Sequence, residues 1–383
     1  MLDKHSHIGI IGAGTMGSGI AQLAASFGHK VVLFDANAVV LQQATERLTK
    51  SLEALVQKGK ITDEAAKKTI ANISNASSFQ DFAKCNLVIE AVIEELGVKQ
   101  EIFRKLEQIV SSDCILATNT SSLSVTSIAA ACNNAGRVIG IHFFNPAPVM
   151  PLVEIIPSIA TEQKTADTSR SLIDSWKKVT VLAKDTPGFI VNRVARSFYG
   201  EAIKIYEEGI ADFATIDWAM KEIGGFKMGP FELMDFIGND INFKVTETVW
   251  TQMFFDNRYK PSLTQKRLYE AGFWGRKKKR GYYNYAEGAV IPEPKKDATI
   301  GNEIFLRIIS MLINEAYDAL YLHIASKEDL ELAMTKGVNY PKGLIQWGHE
   351  IGLQKILNTL LQLHSLYLED RYRPSVLITL QAK

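Results

Sequence analysis

The sequence predicts a doubly wound α/β domain with a mostly parallel sheet, followed by two related all-α domains. Two observations favour this fold class: short β-branched runs alternate with longer helical patterns early in the chain, and the later helical pattern occurs twice. Alternation of this kind is typical of βαβ units, whose strands lie parallel in one sheet. The 383 residues leave room for two to three domains of about 150 residues each.

Six short apolar runs predict the strands of the first domain. Each is rich in Val, Ile or Leu and is separated from the next by a segment with helical periodicity. The first run leads into a glycine-rich segment, and the last contains one carboxylate. The runs are Ile8–Ile11, Val31–Phe34, Leu87-Val88-Ile89, Ile115-Leu116-Ala117, Val138-Ile139-Gly140-Ile141 and Leu152-Val153-Glu154-Ile155-Ile156.

Turn-forming residues mark the expected domain limits. Thr186-Pro187-Gly188 ends the strand pattern, and prolines and lysines interrupt any packed element between Ala289 and Thr299. We therefore expect a first domain over residues 1–185, a helical domain over 186–290 and a second helical domain over 296–383.

The two helical stretches match each other at a nearly constant spacing, which indicates an internal duplication. The second stretch has Leu306 where the first has Asn192, and it lacks a counterpart of Pro187-Gly188-Phe189. We therefore expect a degenerate, shortened copy that forms no second active site. An offset of 114, or 113 near the end, pairs Arg193 with Arg307, Glu201-Ala202 with Glu315-Ala316, Gly229 with Gly343, and 258–262 with 371–375.

Composition excludes several classes of function. With 43 basic and 42 acidic side chains the formal charge is +1, so no overall field attracts nucleic acid or an anionic membrane. No apolar run approaches the length of about 18 residues that a membrane span needs, and glycines interrupt any signal-peptide core. Three widely spaced cysteines indicate neither a disulfide framework nor a metal site, so we expect no metal and a cytoplasmic location. They are Cys85, Cys114 and Cys132.

A glycine-rich loop follows the first predicted strand. Gly12-Ala13-Gly14-Thr15-Met16-Gly17 opens a helix, and Asp35 ends the next strand 23 residues after Gly12. Glycines in this position let the backbone approach a pyrophosphate at a helix N-terminus. A carboxylate at position 35 accepts ribose hydroxyls and repels a 2′-phosphate. The loop thus predicts a Rossmann domain that binds NAD rather than NADP.

Polar residues follow the ends of the later strands. They comprise Asn119-Thr120-Ser121-Ser122, His142-Phe143-Phe144-Asn145-Pro146, Glu154 and Asn192. Side chains at the carboxyl ends of parallel strands face the cofactor crevice, which favours a chemical role for His142. A lone histidine after a strand is also compatible with a structural role. Glu154 interrupts an apolar strand, where a buried carboxylate needs a partner.

These motifs together resemble the L-3-hydroxyacyl-CoA dehydrogenase family over residues 8–285. The resemblance includes the glycine loop, the Asn119 and His142 motifs, Glu154 twelve residues after His142, and residues 187–193. Residues 224–243 look most like the bacterial 3-hydroxybutyryl-CoA and 3-hydroxyadipyl-CoA type, which also carries a second C-terminal helical domain. The resemblance implies reversible NAD-dependent oxidation of (S)-3-hydroxyacyl-CoA to 3-oxoacyl-CoA in fatty-acid metabolism, including β-oxidation.

The resemblance also implies catalytic roles. His142 is the general base that takes the proton of the 3-hydroxyl while hydride leaves for the nicotinamide, a role suited to imidazole near neutral pH. Glu154 holds the imidazole tautomer and stabilises its cation. Ser121 and Asn192 hydrogen-bond the substrate oxygen at the reacting centre.

Further family positions concern the cofactor and coenzyme A. Glu94, Lys99 and Asn145 match positions near the nicotinamide ribose, and Asn119 belongs to the cofactor site. Ser51 and Lys58 match CoA-contacting positions at the same distance after Asp35. Each of these residues is also compatible with a solvated helix charge or a turn.

Substrate choice and assembly stay open at this stage. A terminal carboxylate on the acyl chain would need a cation, for which Arg193, Arg196 and Lys244 are available. In single-copy relatives the helical domains pair between subunits, so the resemblance implies that the second copy packs on the first as an internal pseudo-dimer. Two alternatives stand beside the enzyme: a non-catalytic NAD-binding or structural relative, like a lens crystallin, and an NAD-dependent hydroxyacid or sugar-acid dehydrogenase that uses no CoA. Those last relatives commonly use lysine where His142 stands here.

Overall fold

A computed structural model describes residues 2–3 and 5–382; Met1, Lys4 and Lys383, which belong to the predicted first and last domains, lie outside the described residues. The chain divides into two compact units, Met1–Phe189 and Ile190–Lys383.

The first unit is built on one mostly parallel sheet. Its strand order is β3-β2-β1-β4-β5-β6-β7-β8, counted over the described residues. β7 runs antiparallel to β6, and β8 runs parallel to β7. The strands are β1 (Ile8–Ile11), β2 (Val31–Phe34), β3 (Ile73–Asn75), β4 (Leu87–Glu90), β5 (Ile115–Thr118), β6 (Val138–Phe143), β7 (Leu152–Pro157) and β8 (Val179–Leu182).

Helices cover both faces of this sheet. The central strands β1, β4, β5 and β6 are buried along their whole length, as expected for parallel strands between two helical layers. The covering elements are α1 (Thr15–Ser26), α2 (Ala38–Gln57), α3 (Asp63–Ala71), α4 (Leu96–Glu107), α5 (Val125–Ala129) and α6 (Gln163–Ser175), with 3₁₀ turns at Phe79–Phe82 and Ala135–Arg137. The predicted doubly wound α/β class is confirmed.

The second unit is helical. Its α-helices are α7 (Val191–Val194), α8 (Arg196–Glu207), α9 (Phe213–Trp218), α10 (Pro230–Ile237), α11 (Asn239–Gln252), α12 (Leu263–Glu270), α13 (Ala298–Tyr321), α14 (Lys327–Leu332), α15 (Leu344–Ile351), α16 (Leu353–Tyr367) and α17 (Val376–Gln381). Short 3₁₀ turns lie at Asn257–Tyr259, Arg276–Lys278 and Asp370–Tyr372. The helical class predicted after the sheet is confirmed.

Elements recur within the second unit at the spacing found in the sequence. Residues 213–218 form α9 and residues 327–332 form α14, and each helix continues directly into a π-helical turn. α10 and α15 then begin after Gly229 and Gly343, respectively. The local backbone therefore repeats in these elements at the sequence offset of 114.

Two buried ion pairs link the repeated stretches in an exchanged manner. Arg193 Nε lies 2.6 Å from Glu315 Oε1, and Arg307 Nε lies 2.6 Å from Glu201 Oε1. Residues 193 and 201 belong to the earlier stretch, whereas residues 307 and 315 are their counterparts at the offset of 114. Each glutamate also accepts a tyrosine hydroxyl, from Tyr259 and Tyr372. Exchanged contacts of this kind also occur across isologous interfaces.

Candidate active site

The glycine loop between β1 and α1 requires its glycines. Gly12 has a φ of +100°, and a Cβ there would lie 2.5 Å from the carbonyl oxygen of Ala91. A Cβ on Gly17 would lie 1.7 Å from the carbonyl oxygen of Gly12. The loop therefore packs tightly against its neighbours, and Gly14-Thr15-Met16 opens the N-terminus of α1, where backbone N–H groups can receive a phosphate.

Asp35 is fixed beside this loop, just after β2. Its carboxylate accepts the N–H of Ala13 at 2.8 Å and the N–H of Asn37 at 2.9 Å. A cavity of about 710 Å³ connects Asp35 with the glycine loop and continues over Val92 and Ile93. Its predominantly apolar wall with one acidic end suits an adenosine moiety, whose ribose hydroxyls can donate to the carboxylate.

A buried charge network lies at the carboxyl ends of β4 and β5. Lys99 Nζ lies 2.6 Å from Glu90 Oε1 and 3.2 Å from Glu94 Oε2. Glu90 is 0% exposed and also accepts the hydroxyl of Thr118 at 2.7 Å. The sequence analysis named Glu94 and Lys99 but missed Glu90. The signal was available, since Glu90 directly follows the apolar run Leu87-Val88-Ile89, as Glu154 interrupts another apolar run.

Glu94 orders the loop that carries Ser121. Its Oε1 accepts the hydroxyl of Thr120 and the backbone N–H groups of Ser121 and Ser122. Burial raises the pKa of Glu94, but the charge of Lys99 and these donors outweigh burial, so the pKa is lowered below its ordinary value. Glu94 is therefore held as a carboxylate that fixes the backbone around Ser121.

His142 and Glu154 face each other across the one antiparallel strand pair of the described sheet. The register places them directly opposite on β6 and β7, and His142 Nδ1 lies 2.7 Å from Glu154 Oε2. Glu154 is 0% exposed and His142 is 5% exposed. Because a carboxylate accepts only, Nδ1 carries the proton of the neutral ring. Nε2 is then the acceptor, and it has no hydrogen-bond partner among residues 2–3 and 5–382.

The segment after His142 is anchored at both ends. Asn119 accepts the N–H of Phe143 at 2.8 Å, which ties the end of β5 to the end of β6. Lys178 donates to the carbonyls of Ala147 and Met150 at 2.6 and 2.7 Å, and burial lowers its pKa to about 8. Asn145 lies exposed between these anchors, before a cis proline bond. Sequence reasoning did not find Lys178, because a lysine before a strand carries no signal of its own.

Three predicted site residues remain. Two of them, Ser51 and Lys58, lie on α2 and at its C-cap, and the third, Asn192, belongs to the second unit. Ser51 is exposed on α2, and Lys58 is the exposed C-cap of that helix. Leu52 and Leu55 of the same helix line a second cavity of about 590 Å³, whose wall includes the side chain of Lys68. Asn192 belongs to α7 in the second unit, where its carbonyl accepts Arg196 Nε at 3.0 Å.

Two searches of the described residues were negative. Over residues 2–3 and 5–382, no group of three or more His, Cys, Asp or Glu side chains could hold a metal ion. Within the same residues, no helix has both the length and the apolarity that crossing a membrane requires.

The glycine loop, the Asp35 carboxylate and the histidine–glutamate pair define an NAD-dependent dehydrogenase. Family models agree with this class: "3-hydroxyacyl-CoA dehydrogenase, NAD binding domain" matches residues 7–186, and "3-hydroxyacyl-CoA dehydrogenase, C-terminal domain" matches residues 188–285 and 304–382. The chain belongs to the 3-hydroxyacyl-CoA dehydrogenase family. It is an oxidoreductase that uses NAD to oxidise 3-hydroxyacyl-CoA.

The chain is similar to curated relatives and to solved structures, some of which match over nearly its whole length. It is 35% identical to the 3-hydroxyadipyl-CoA dehydrogenase of Escherichia coli K12, over 98% of this chain and 97% of that protein. It is 41% identical to the human mitochondrial hydroxyacyl-coenzyme A dehydrogenase, over 73% of this chain and 91% of that protein. The crystal structure of a 3-hydroxybutyryl-CoA dehydrogenase from E. coli K12 superposes with a TM-score of 0.93 at 34% identity, covering 100% of this chain and 98% of that one.

Proposed function

We propose that the substrate is a short-chain (S)-3-hydroxyacyl-CoA, either 3-hydroxybutyryl-CoA or 3-hydroxyadipyl-CoA, and that His142 is the general base. The 2.7 Å contact between His142 and Glu154 carries this proposal. The contact leaves Nε2 of the neutral, buried His142 ring as a proton acceptor. A general base in alcohol oxidation must be in this protonation state.

Each step follows from the protonation of this pair. His142 Nε2 accepts the 3-hydroxyl proton, and the ring becomes a cation beside the Glu154 carboxylate, which stabilises it. NAD, when bound, supplies the hydride acceptor. In the reverse direction the imidazolium returns the proton to the 3-oxo oxygen, so one residue serves both directions.

Other side chains position the reactants in this proposal. Ser121 and Asn192 hydrogen-bond the substrate oxygen, where fixed dipoles favour developing alkoxide character. Glu94 supports Ser121, since its carboxylate accepts the Ser121 N–H at 2.9 Å. Asn119 and Lys99 complete the nicotinamide side of the site.

The cofactor and coenzyme A contacts are part of the same proposal. The glycine loop and Asp35 bind the adenosine half of NAD, and Glu94, Lys99 and Asn145 lie near the nicotinamide ribose. Ser51 and Lys58 contact CoA, for which their exposure on one helix provides access. A cytoplasmic location is also proposed, and it is supported by the free thiols of the described chain, Cys85, Cys114 and Cys132.

We further propose that residues 186–290 and 296–383 are duplicated helical domains, that they pair as an internal pseudo-dimer, and that the later copy has no active site. The exchanged pairs of Arg193 with Glu315 and Arg307 with Glu201 support the pairing. Leu306 at the position of Asn192 supports the loss of a second site, because leucine cannot hydrogen-bond an alkoxide.

Replacing His142 tests the proposed chemistry. His142→Gln is expected to keep NADH binding, measured by fluorescence titration, and to lose ~10²-fold to ~10⁴-fold in kcat with 3-hydroxybutyryl-CoA. His7→Gln is the control, because His7 lies outside the site and should retain full turnover. Unchanged kcat in His142→Gln would refute the assignment. Inactivity of the natural chain on every acyl-CoA, with turnover of a free hydroxyacid, would replace it with a CoA-independent dehydrogenase.

A further inference from the structure

Three cations of the second unit are available for a second charge on the substrate, and the structure separates them. Arg193 is already paired, with Glu315 at 2.6 Å and Asp318 at 3.3 Å. Lys244 is exposed and lies 2.9 Å from Glu247. Arg196 is buried like Arg193, but it is the one of the three that has no carboxylate within ion-pair distance in the described part of the chain.

Neutral groups hold the Arg196 guanidinium in place. Nε donates to the Asn192 carbonyl at 3.0 Å, and Nη1 donates to Thr246 Oγ1 at 3.1 Å and to the Asn242 carbonyl at 3.4 Å. The guanidinium carbon lies 4.9 Å from the centre of the Tyr199 ring. The head group is therefore fixed on two sides before any ligand binds, which lowers the entropic cost of binding one.

One edge of the guanidinium is still available. Nη2 has no acceptor among residues 2–3 and 5–382, yet it is absent from the set of fully enclosed, unpartnered polar atoms of the described chain. Nη2 is therefore not fully enclosed by the described residues. A planar N–H edge of this kind matches the oxygens of a carboxylate.

The surroundings of Arg196 are short of acceptors. Asn242 Nδ2 and the Tyr340 hydroxyl are both buried without a hydrogen-bond partner in the described residues. Asn242 touches Arg196 through its carbonyl, and Tyr340 is close enough to interact with the guanidinium electrostatically. A buried positive charge beside unpartnered polar groups is unfavourable unless an anion joins it. A ligand that compensates the Arg196 charge is an acceptor with a negative charge.

We propose that Arg196 binds the terminal carboxylate of a dicarboxylic 3-hydroxyacyl chain, and so makes the enzyme selective for a six-carbon diacid over its monoacid counterpart. The inference rests on the proposed function, since it takes Asn192 to bind the 3-oxygen. Arg196 Nε lies 3.0 Å from the carbonyl oxygen of Asn192, so the guanidinium lies beside that residue. An extended chain places the C6 carboxylate oxygens roughly 5 Å from C3, at little more than 1 Å per bond. A substrate whose 3-oxygen is bound by Asn192 therefore carries its C6 carboxylate at a distance that a neighbouring guanidinium can meet.

A matched pair of substrates provides the test. 3-Hydroxyadipyl-CoA and 3-hydroxyhexanoyl-CoA have the same chain length and differ only in the terminal carboxylate. We expect the natural enzyme to show a higher kcat/KM for the diacid by at least ~10-fold. Arg196→Met should lower that ratio by ~30-fold to ~1000-fold, the usual effect of removing one partner of a buried charge pair. Arg196→Lys should restore part of it, because the charge returns without the planar edge.

The ratio of kcat/KM values within one protein sample does not depend on the fraction that is folded. Lys244→Met is the control variant and should keep the natural ratio, since Lys244 is exposed and paired with Glu247. A ratio near one in the natural enzyme, or an unchanged ratio in a folded Arg196→Met, would overturn the inference while the proposed function stands. Inactivity on all three substrates, 3-hydroxybutyryl-CoA included, would remove the proposed function and this inference together.

Discussion

Replacing Glu154 by glutamine changes one charge beside the proposed base and little else. The amide has nearly the same shape, and its oxygen can still accept the N–H of His142 Nδ1. Glu154 is 0% exposed in the centre of β7. The substitution therefore tests whether the carboxylate charge, rather than the hydrogen bond, supports catalysis.

The structure sets the size of the effect. His142 Nδ1 and Glu154 Oε2 are 2.7 Å apart, and unit charges at that separation attract by about 6 kcal/mol at an effective dielectric constant of about 20. Both charges are delocalised over their groups, which reduces this to about 4 kcal/mol. The hydrogen bond that the amide keeps offsets about 1 kcal/mol. We therefore expect the barrier to rise by about 3 kcal/mol and kcat to fall ~100-fold to ~300-fold.

Initial rates of NADH formation with saturating NAD and 3-hydroxybutyryl-CoA measure this loss. NADH binding and thermal unfolding of Glu154→Gln should match the natural protein, which separates a catalytic defect from misfolding. Glu107→Gln removes another carboxylate of the first unit, one that pairs with Arg137, and should keep full turnover. If Glu154→Gln turns over within threefold of the natural enzyme, the electrostatic role of Glu154 is wrong.

Three further predictions concern the ion pairs of the second unit, His29 and Asp35. Glu315→Gln and Glu201→Gln should each lower the free energy of unfolding in urea by about 2 kcal/mol, because each removes the carboxylate closest to a buried arginine. Arg193 keeps Asp318 and Arg307 keeps Glu208, so neither arginine is left unpaired; a loss below about 0.5 kcal/mol in either variant would contradict a stabilising role of that pair. Burial lowers the pKa of His29 below 6.5, so the unfolded chain binds a proton that the folded chain does not, and stability should fall as pH drops below about 6.5. His29→Gln should flatten this acid limb in melting-temperature scans, and an identical limb would argue against His29 as its source. Asp35→Ala should raise the KM for NAD by ~10-fold to ~100-fold and reduce the preference of the enzyme for NAD over NADP. An unchanged KM for NAD would exclude Asp35 from the cofactor site.

The sequence predicted the strands correctly where an apolar run coincides with a buried strand. The strands predicted from apolar runs are all present, because central strands of a parallel sheet are buried on both faces and are continuously apolar. β3 and β8 were missed for physical reasons. β3 is a three-residue edge strand, Ile73-Ser74-Asn75, with two exposed polar side chains. β8 is only four residues long and follows α6 closely, so its alternation was too short to detect.

Site residues could be predicted from the sequence where a polar residue stands out against its apolar neighbours or matches a family motif. The family resemblance implied the pairing of His142 with Glu154, whereas the residues alone indicated only that a carboxylate inside an apolar strand needs a partner. The structure places the two residues opposite each other. Lys99 was assigned from the family alone, and its buried partner Glu90 was not foreseen. The reason is that a side chain's neighbours across a sheet depend on strand order, and local spacing along the chain does not contain strand order.

The proposed internal pairing of the two helical stretches has a consequence for how the enzyme depends on its own concentration. A domain that must find its counterpart in another molecule loses stability on dilution, whereas a counterpart in the same chain is always present. Unfolding of the second unit should therefore be independent of protein concentration. Covalent linkage also frees each half to change alone. In a homodimer a substitution at position 192 would appear in both subunits, but here the later stretch carries Leu306 while the earlier one keeps Asn192.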